Sequence, residues 1–217
     1  KVLTNPDGSF SGQNSLWFGG CSGNGVPFDY TLSGVPAGTY RLAVYVMDYD
    51  SNGARDQTIQ VCVAGACSGA DAVGDHSGGV YQLYDVDVAV GETITIQHTS
   101  TAGANAVAQG VFFDPIAGPL GCMNGKACST TLQDTTTQGN WTMTYGSAGY
   151  VLFNRPVATK AVCQDPAPNY QAGGFGPAVT VATNDAKSWY WGTPAGDYHC
   201  GYAAAYIWNC DDLTGRA

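Results

Sequence analysis

Apolar and polar residues alternate with a period of two along much of this chain. The clearest run is GTYRLAVYVMDYDSNGARDQTIQVCV, from Gly38 to Val63. Tyr40, Leu42, Val44 and Val46 alternate with Arg41, Ala43 and Tyr45, the period of a half-buried strand. Thr58 to Val63 alternates again and carries β-branched residues. Between them, Asp48-Tyr49-Asp50-Ser51-Asn52-Gly53 is a run of turn formers closed by a glycine able to take positive φ, so the pattern predicts a hairpin. Val26 to Leu32, Val80 to Val88, Glu92 to His98 and Val107 to Phe113 read as further strands. Short strands at this spacing, punctuated by glycine, predict an antiparallel sandwich over residues 26 to 114. Asp114 to Cys128 reads as a Pro/Gly linker holding a small cysteine loop, and the Thr-rich tract Ser129 to Gln138 as a solvated loop. Gly139 to Phe153, Ala178 to Thr183, Lys187 to Trp191 and Asp197 to Trp208 read as more strands, dense in aromatics. No stretch reads as a helix. The expected fold is all-β: an antiparallel β-sandwich of jelly-roll or immunoglobulin-like type in two sandwich-like halves. Residues 1–118 carry the hairpin, and 119–217 form the aromatic-rich half.

Composition narrows the setting. Of 217 residues, 44% are hydrophobic, enough for a sizeable core, and only 12% are charged, against about 25% in an average soluble domain. Solubility therefore falls to Ser, Thr, Asn, Gln and Gly, or to attached sugar. The net charge is −9 with no basic cluster, which argues against a nucleic-acid partner, since phosphate contacts need Lys and Arg. No apolar run reaches the length of a membrane span. With no leader at Lys1, the chain reads as a mature, processed one. Eight cysteines, an even number, in a weakly charged chain point to an oxidising, extracellular location. The expected bridges are Cys62–Cys67 across a hairpin, Cys122–Cys128 around a small loop, Cys200–Cys210 across neighbouring strands, and Cys21–Cys163. They are one choice among about 105 pairings of eight cysteines. Zinc is the rival reading, but no CxxC occurs and His76, His98 and His199 stand apart.

Two groups of segments resemble an accessory β-sandwich module of secreted bacterial glycoside hydrolases of rhamnosidase type. The first is GTYRLAVYVMDYDSNGARDQTIQV with GGVYQLYDVDV and the stretch Gly103 to Phe113. The second is Thr137-Gln138-Gly139-Asn140-Trp141, then Tyr145-Gly146 and Gly149-Tyr150-Val151-Leu152. The resemblance covers about half of the chain and implies the sandwich fold. In the family the TQGNW and YG–GY segments precede the GTYRL stretch, whereas here they follow it. That permuted order implies a circular permutation, one repeat of an array cut in mid-module, or a subunit whose C-terminal half completes a neighbouring copy. Strand addition at an exposed sheet edge suits the last, and a head-to-tail contact that does not close gives a filament.

Four chemistries follow from the residues. Asp48-x-Asp50-x-Asn52-Gly53, with Asp56 further on, matches the first half of a calcium loop, and calcium is the one cofactor the sequence suggests. The twelfth position is Ile59, where a bidentate Glu is wanted, so the competing reading is an Asx-rich turn with Arg55 as internal counterion. Trp189, Trp191 and Trp17 are candidates for a sugar platform, set against an ordinary role in core or interface. Trp189 and Trp191 stand at alternate positions and share one face of a strand. Asn140-Trp141-Thr142 is an N-glycosylation sequon, and Thr135, Thr136 and Thr137 are O-linked candidates. A glycosidase needs two placed carboxylates. Asp48, Asp50, Asp85, Asp87, Asp211 and Asp212 sit in turns or on alternating faces, and no GxSxG or HExxH occurs, so the chain does not read as an enzyme. The leading expectation is an extracellular structural subunit, glycosylated and assembling with copies of itself head to tail. The alternative is a carbohydrate-binding module of a secreted polysaccharide-associated protein, with glycans as partners.

Overall fold

The computed structural model describes residues 3–4, 6, 14–19, 25, 27–48, 54–103, 105–118, 121, 125–153, 170–176, 179–184 and 187–191, with the backbone alone at 14–19, 171 and 187–191. They form β-strands and turns, with no helix among them. The strands are β1 (Asn14–Gly19), β2 (Pro27–Ser33), β3 (Gly38–Val46), β4 (Asp56–Val63), β5 (Ala66–Cys67), β6 (Asp71–Val73), β7 (Val80–Val88) and β8 (Ile94–Ala102). After them come β9 (Ala106–Ala108), β10 (Gly110–Pro115), β11 (Ala127–Asp134), β12 (Gly149–Phe153), β13 (Tyr170–Gly173), β14 (Thr180–Asn184) and β15 (Lys187–Trp191). One six-stranded antiparallel sheet runs β11-β7-β3-β10-β12-β13, and a second runs β14-β2-β8-β4-β5 with β6 beside β4. A small third sheet runs β15-β1-β9. The all-β, antiparallel sandwich is thus as expected.

Alternation decides what is buried. Tyr40, Leu42, Val44 and Val46 of β3 face Tyr30, Leu32, Ile59, Val61, Ile94 and Ile96 of the second sheet in one large core. Many of the intervening positions of the first sheet are buried as well, although Arg41, Asp85 and Asp87 stay partly exposed. Ala43, Tyr45, Tyr81, Leu83, Phe112 and Leu152 form a second core on its outer face, closed by Trp141 and Leu3. The segment between β11 and β12 supplies that roof. Residues 139–148 are turns, not the strand expected from Gly139 onward. Thr4 donates from its backbone N to the Gly139 carbonyl at 2.9 Å, and the Trp141 indole N–H donates to the Thr4 carbonyl at 3.0 Å.

Three further expectations are corrected. The Gly38 to Val63 stretch is not a hairpin: β3 pairs with β7 and β10, whereas β4 pairs with β8 in the other sheet. The connection arches from sheet to sheet, because each strand is apolar on one face and both faces are buried against each other. The Thr-rich tract is a loop only in its second part: up to Asp134 it belongs to β11, an edge strand that stays polar because its outward side meets solvent, whereas 135–138 leave the strand in bends and a turn. A register shift between Ser129 and Gln133 accompanies Thr131 at φ 56°, a bulge of the kind that blunts sheet edges. The strand expected from Val107 to Phe113 is broken at Gln109 into β9 and β10, which lie in different sheets. Asp197 to Trp208 lies outside the described residues. The expected boundary at 118/119 falls between β10 and β11, two strands of one sheet.

Glycine is required at Gly79, which has φ 89° and where an added Cβ would lie 1.9 Å from the Tyr45 hydroxyl. The Cys62–Cys67 disulfide is present, its residues directly opposite each other on β4 and β5 with Cα atoms 3.9 Å apart. Cys128 is also disulfide-bonded. Cys21, Cys122, Cys163, Cys200 and Cys210 lie outside the described residues, and with them the other three expected pairings.

Candidate functional site

The three tryptophans singled out from the sequence come from opposite ends of the chain, and the small sheet joins their strands. β1 pairs antiparallel with β15, in a register that sets Leu16 opposite Trp189, Asn14 opposite Trp191, and Trp17 opposite Ser188. On its other side β1 pairs with β9, Trp17 opposite Ala108. Trp17 therefore sits on the strand next to Trp189 and Trp191, one register position out of step with them.

The described aromatics of the two large sheets are taken up elsewhere. Phe112 and Trp141 lie with ring centroids 4.8 Å apart, and Tyr81 and Tyr145 at 4.5 Å, inside the outer core. The Tyr145 hydroxyl donates to Asp134 at 2.8 Å. Burial works to raise the Asp134 carboxyl, but hydrogen bonds from the side chains and backbones of Thr137 and Thr136 outweigh it and hold the group well below the usual range. Burial pushes the Tyr45, Tyr81 and Tyr145 hydroxyls up, so they remain protonated donors.

These contacts define the glycosylation candidates. Asn140 is exposed on a turn, its N–H donating to the Thr137 carbonyl at 3.2 Å, while its neighbour Trp141 points into the core. Thr136 donates its hydroxyl to Asp134 at 2.8 Å, and Thr137 is tied to the same carboxylate. Thr135 is exposed.

Of the four calcium candidates, Asp48 and Asp56 are among the described residues. Asp48 is buried, and both of its oxygens accept from Arg55: Oδ1 from Nη1 at 2.5 Å and Oδ2 from the backbone N–H at 3.2 Å. Arg55 Nε also donates to Asn105 Oδ1 at 2.8 Å. Asp48 thus has its own cation, Asp56 lies half-buried on β4, and Asp50 and Asn52 lie outside the described residues. The carboxylates considered for catalysis are likewise paired. Asp85 binds Arg41, and Asp87 lies 3.6 Å from Lys126. Asp211 and Asp212 lie outside the described residues.

One buried polar cluster was not singled out from the sequence. Gln57 Nε2 donates to His98 Nδ1 at 3.0 Å and to the Val107 carbonyl at 3.0 Å, while Gln57 Oε1 accepts from the Val107 N–H at 2.7 Å. With an amide N–H pointing at it, Nδ1 must carry the lone pair, so the imidazole proton sits on Nε2, 3.2 Å from the Tyr30 hydroxyl. Burial, with nearby His76 adding to it, pushes the His98 pKa down to about 3, and the ring is neutral at physiological pH. The visible signal was a polar residue out of phase: Gln57 and His98 fall at core positions of their strands.

No family model matches the sequence, and no curated protein does. A solved structure of a family 35 carbohydrate binding module from an environmental isolate aligns with 44% of this chain and 74% of its own, at 16% identity and a TM-score of 0.27. A likeness that slight says nothing of ligands. What stands of the family resemblance is the β-sandwich, without the rhamnosidase-type accessory module as its source.

Proposed function

We propose that this chain is a non-catalytic carbohydrate-binding module of a secreted, polysaccharide-associated protein. The observation that carries the reading is the β1–β15 pairing, which holds Trp189 and Trp191 at alternate positions of β15 in a sheet apart from the two large ones, with Trp17 in register with Ser188 and so on the other face of that sheet. Indole rings stack on the C–H faces of pyranoses, and neighbouring amides and carboxylates bond the hydroxyls. The disulfides at Cys62–Cys67 and Cys128 suit an extracellular location. The full chain is expected to be retained in affinity electrophoresis on plant or algal polysaccharides. Trp189→Ala/Trp191→Ala should lose at least about tenfold in affinity, on the usual scale for stacked aromatics. Retention on none of a broad panel would end the proposal.

A second reading, a self-assembling extracellular subunit, is favoured by a separate observation. Both edge strands of the first sheet, β11 and β13, and one edge of the second, β14, come from beyond residue 118. In this chain they complete sheets begun by residues before 118. Delivered to a neighbouring copy, the same pairings would build a head-to-tail fibre from halves 1–118 and 119–217. Glycosylation at exposed Asn140, and at Thr135, Thr136 or Thr137, belongs with this reading. Electron microscopy and light scattering should then show concentration-dependent filaments, and glycosidase treatment should lower the intact mass. A monodisperse monomer of unmodified mass would exclude it.

A further inference from the structure

The outward face of the second large sheet is ordered in a way that neither the tryptophans nor the core requires. Residues directly opposite each other across β14, β2, β8 and β4 share a face, and one such row reads Asn184, Asp29, Gln97, Gln60. A row of threonines flanks it on one side, Thr31 opposite Thr95 with hydroxyls 3.0 Å apart. On the other side Thr58 lies opposite Thr99. All of these side chains are half-buried or exposed, while the residues between them, such as Phe28, Tyr30, Ile59 and Ile96, are fully buried. The face carries no aromatic side chain, and the four strands contain no Lys or Arg.

From this arrangement we infer that the face is a binding surface for an extended, neutral polysaccharide chain lying across the strands. The inference rests on the carbohydrate-binding reading and assigns it a second contact surface, distinct from the tryptophan strands. Hydroxyl and amide groups both donate and accept, as sugar hydroxyls do, with one N–H of the Gln60 amide already given to the Ser68 carbonyl at 2.9 Å. The row repeats at the inter-strand distance of about 4.8 Å, close to the length of one pyranose unit, and spans about 14 Å over four strands. Asp29 stands between Asn184 and Gln97, an acceptor with donors on either side, which matches a pair of vicinal hydroxyls. With a single carboxylate in the row and no cation on the four strands, the surface selects against polyanions, and its binding should be nearly independent of salt.

The test is adsorption of the full chain to microcrystalline cellulose, mannan and chitin at low and high salt, for the parent, Gln60→Ala/Gln97→Ala, Asp29→Asn, and Trp189→Ala/Trp191→Ala. Thermal denaturation confirms that each variant is folded. Loss of about tenfold in affinity by the amide variant, and a smaller loss by Asp29→Asn, both insensitive to salt, is the expected result. If the amide variant binds like the parent while the tryptophan variant has lost binding, this inference is overturned and the carbohydrate-binding reading stands. If the parent adsorbs to none of the three and to no other glycan, both fall. If the amide variant instead dissolves an oligomer seen by light scattering, the face is a contact between copies and the inference is overturned.

Discussion

Arg55→Ala is expected to destabilise the protein by about 3–5 kcal/mol, the usual cost of removing one partner of a buried ion pair. The Arg55 side chain is 7% exposed and that of Asp48 0%. Both lie where the chain arches from β3 to β4. Without the guanidinium, Asp48 would keep a buried charge that has lost its cation, and Asn105 would lose the donor at 2.8 Å. The site cannot relax easily. Gly103, at φ 81°, packs so closely that an added Cβ would lie 3.0 Å from Arg55 Cα. For a chain of this size the loss corresponds to a fall in melting temperature of about 10 °C. Arg55→Met/Asp48→Asn, which removes both charges, should recover part of it. Chemical denaturation of the parent and the two variants measures this, and an Arg55→Ala cost below about 1 kcal/mol would show that the pair does not hold the arch.

Acid should destabilise the protein through His98. Unfolded, the imidazole takes up its proton near pH 6.5. In the folded chain burial pushes that value down to about 3. Between these values the unfolded state holds more protons, so stability falls as pH drops from 6.5 toward 3 and is unaffected by this group above 6.5. At pH 4 the loss is about 3 kcal/mol. The geometry gives the reason. A proton on Nδ1 would face the Gln57 N–H at 3.0 Å, donor against donor. His76, lowered chiefly by its own burial, acts in the same direction. His98→Phe keeps the stack on Phe28, whose ring lies 4.9 Å away. It should cost about 1–2 kcal/mol at pH 7 through the hydrogen bonds lost, and it should flatten much of the acid limb. Urea denaturation across this pH range checks it. An acid limb as steep as the parent's would assign the effect to other groups.

These two sites were unevenly legible beforehand. The Asp48–Arg55 pair was visible as an acidic turn with an internal counterion, because both partners are close in sequence. The His98 cluster was not, since Gln57, His98 and Val107 lie on three strands and meet only when those strands pair. Trp17 and Trp189 could be proposed together from residue type, but only the β1–β15 register, which sets Trp17 opposite Ser188, shows that they fall on different faces of the small sheet. The Asn184–Asp29–Gln97–Gln60 row exists only through the register of four strands.

Alternation alone determined that the chain is all-β, which residues of β3 enter the core between the two large sheets, and that Cys62 and Cys67 can bridge a short turn. Those properties follow from the period of two and from local reach. Tertiary structure decided the partners. A hairpin and an arch bury the same face of β3 and β4, so the pattern of apolar residues cannot distinguish them, and the choice fell to the hydrogen-bonding edges offered by β7, β10 and β8. It also decided that Thr-rich β11 is a strand and that Trp141 closes a second core. Edge strands and roofs take their burial from elements far away in the chain, and a local period carries no record of those elements.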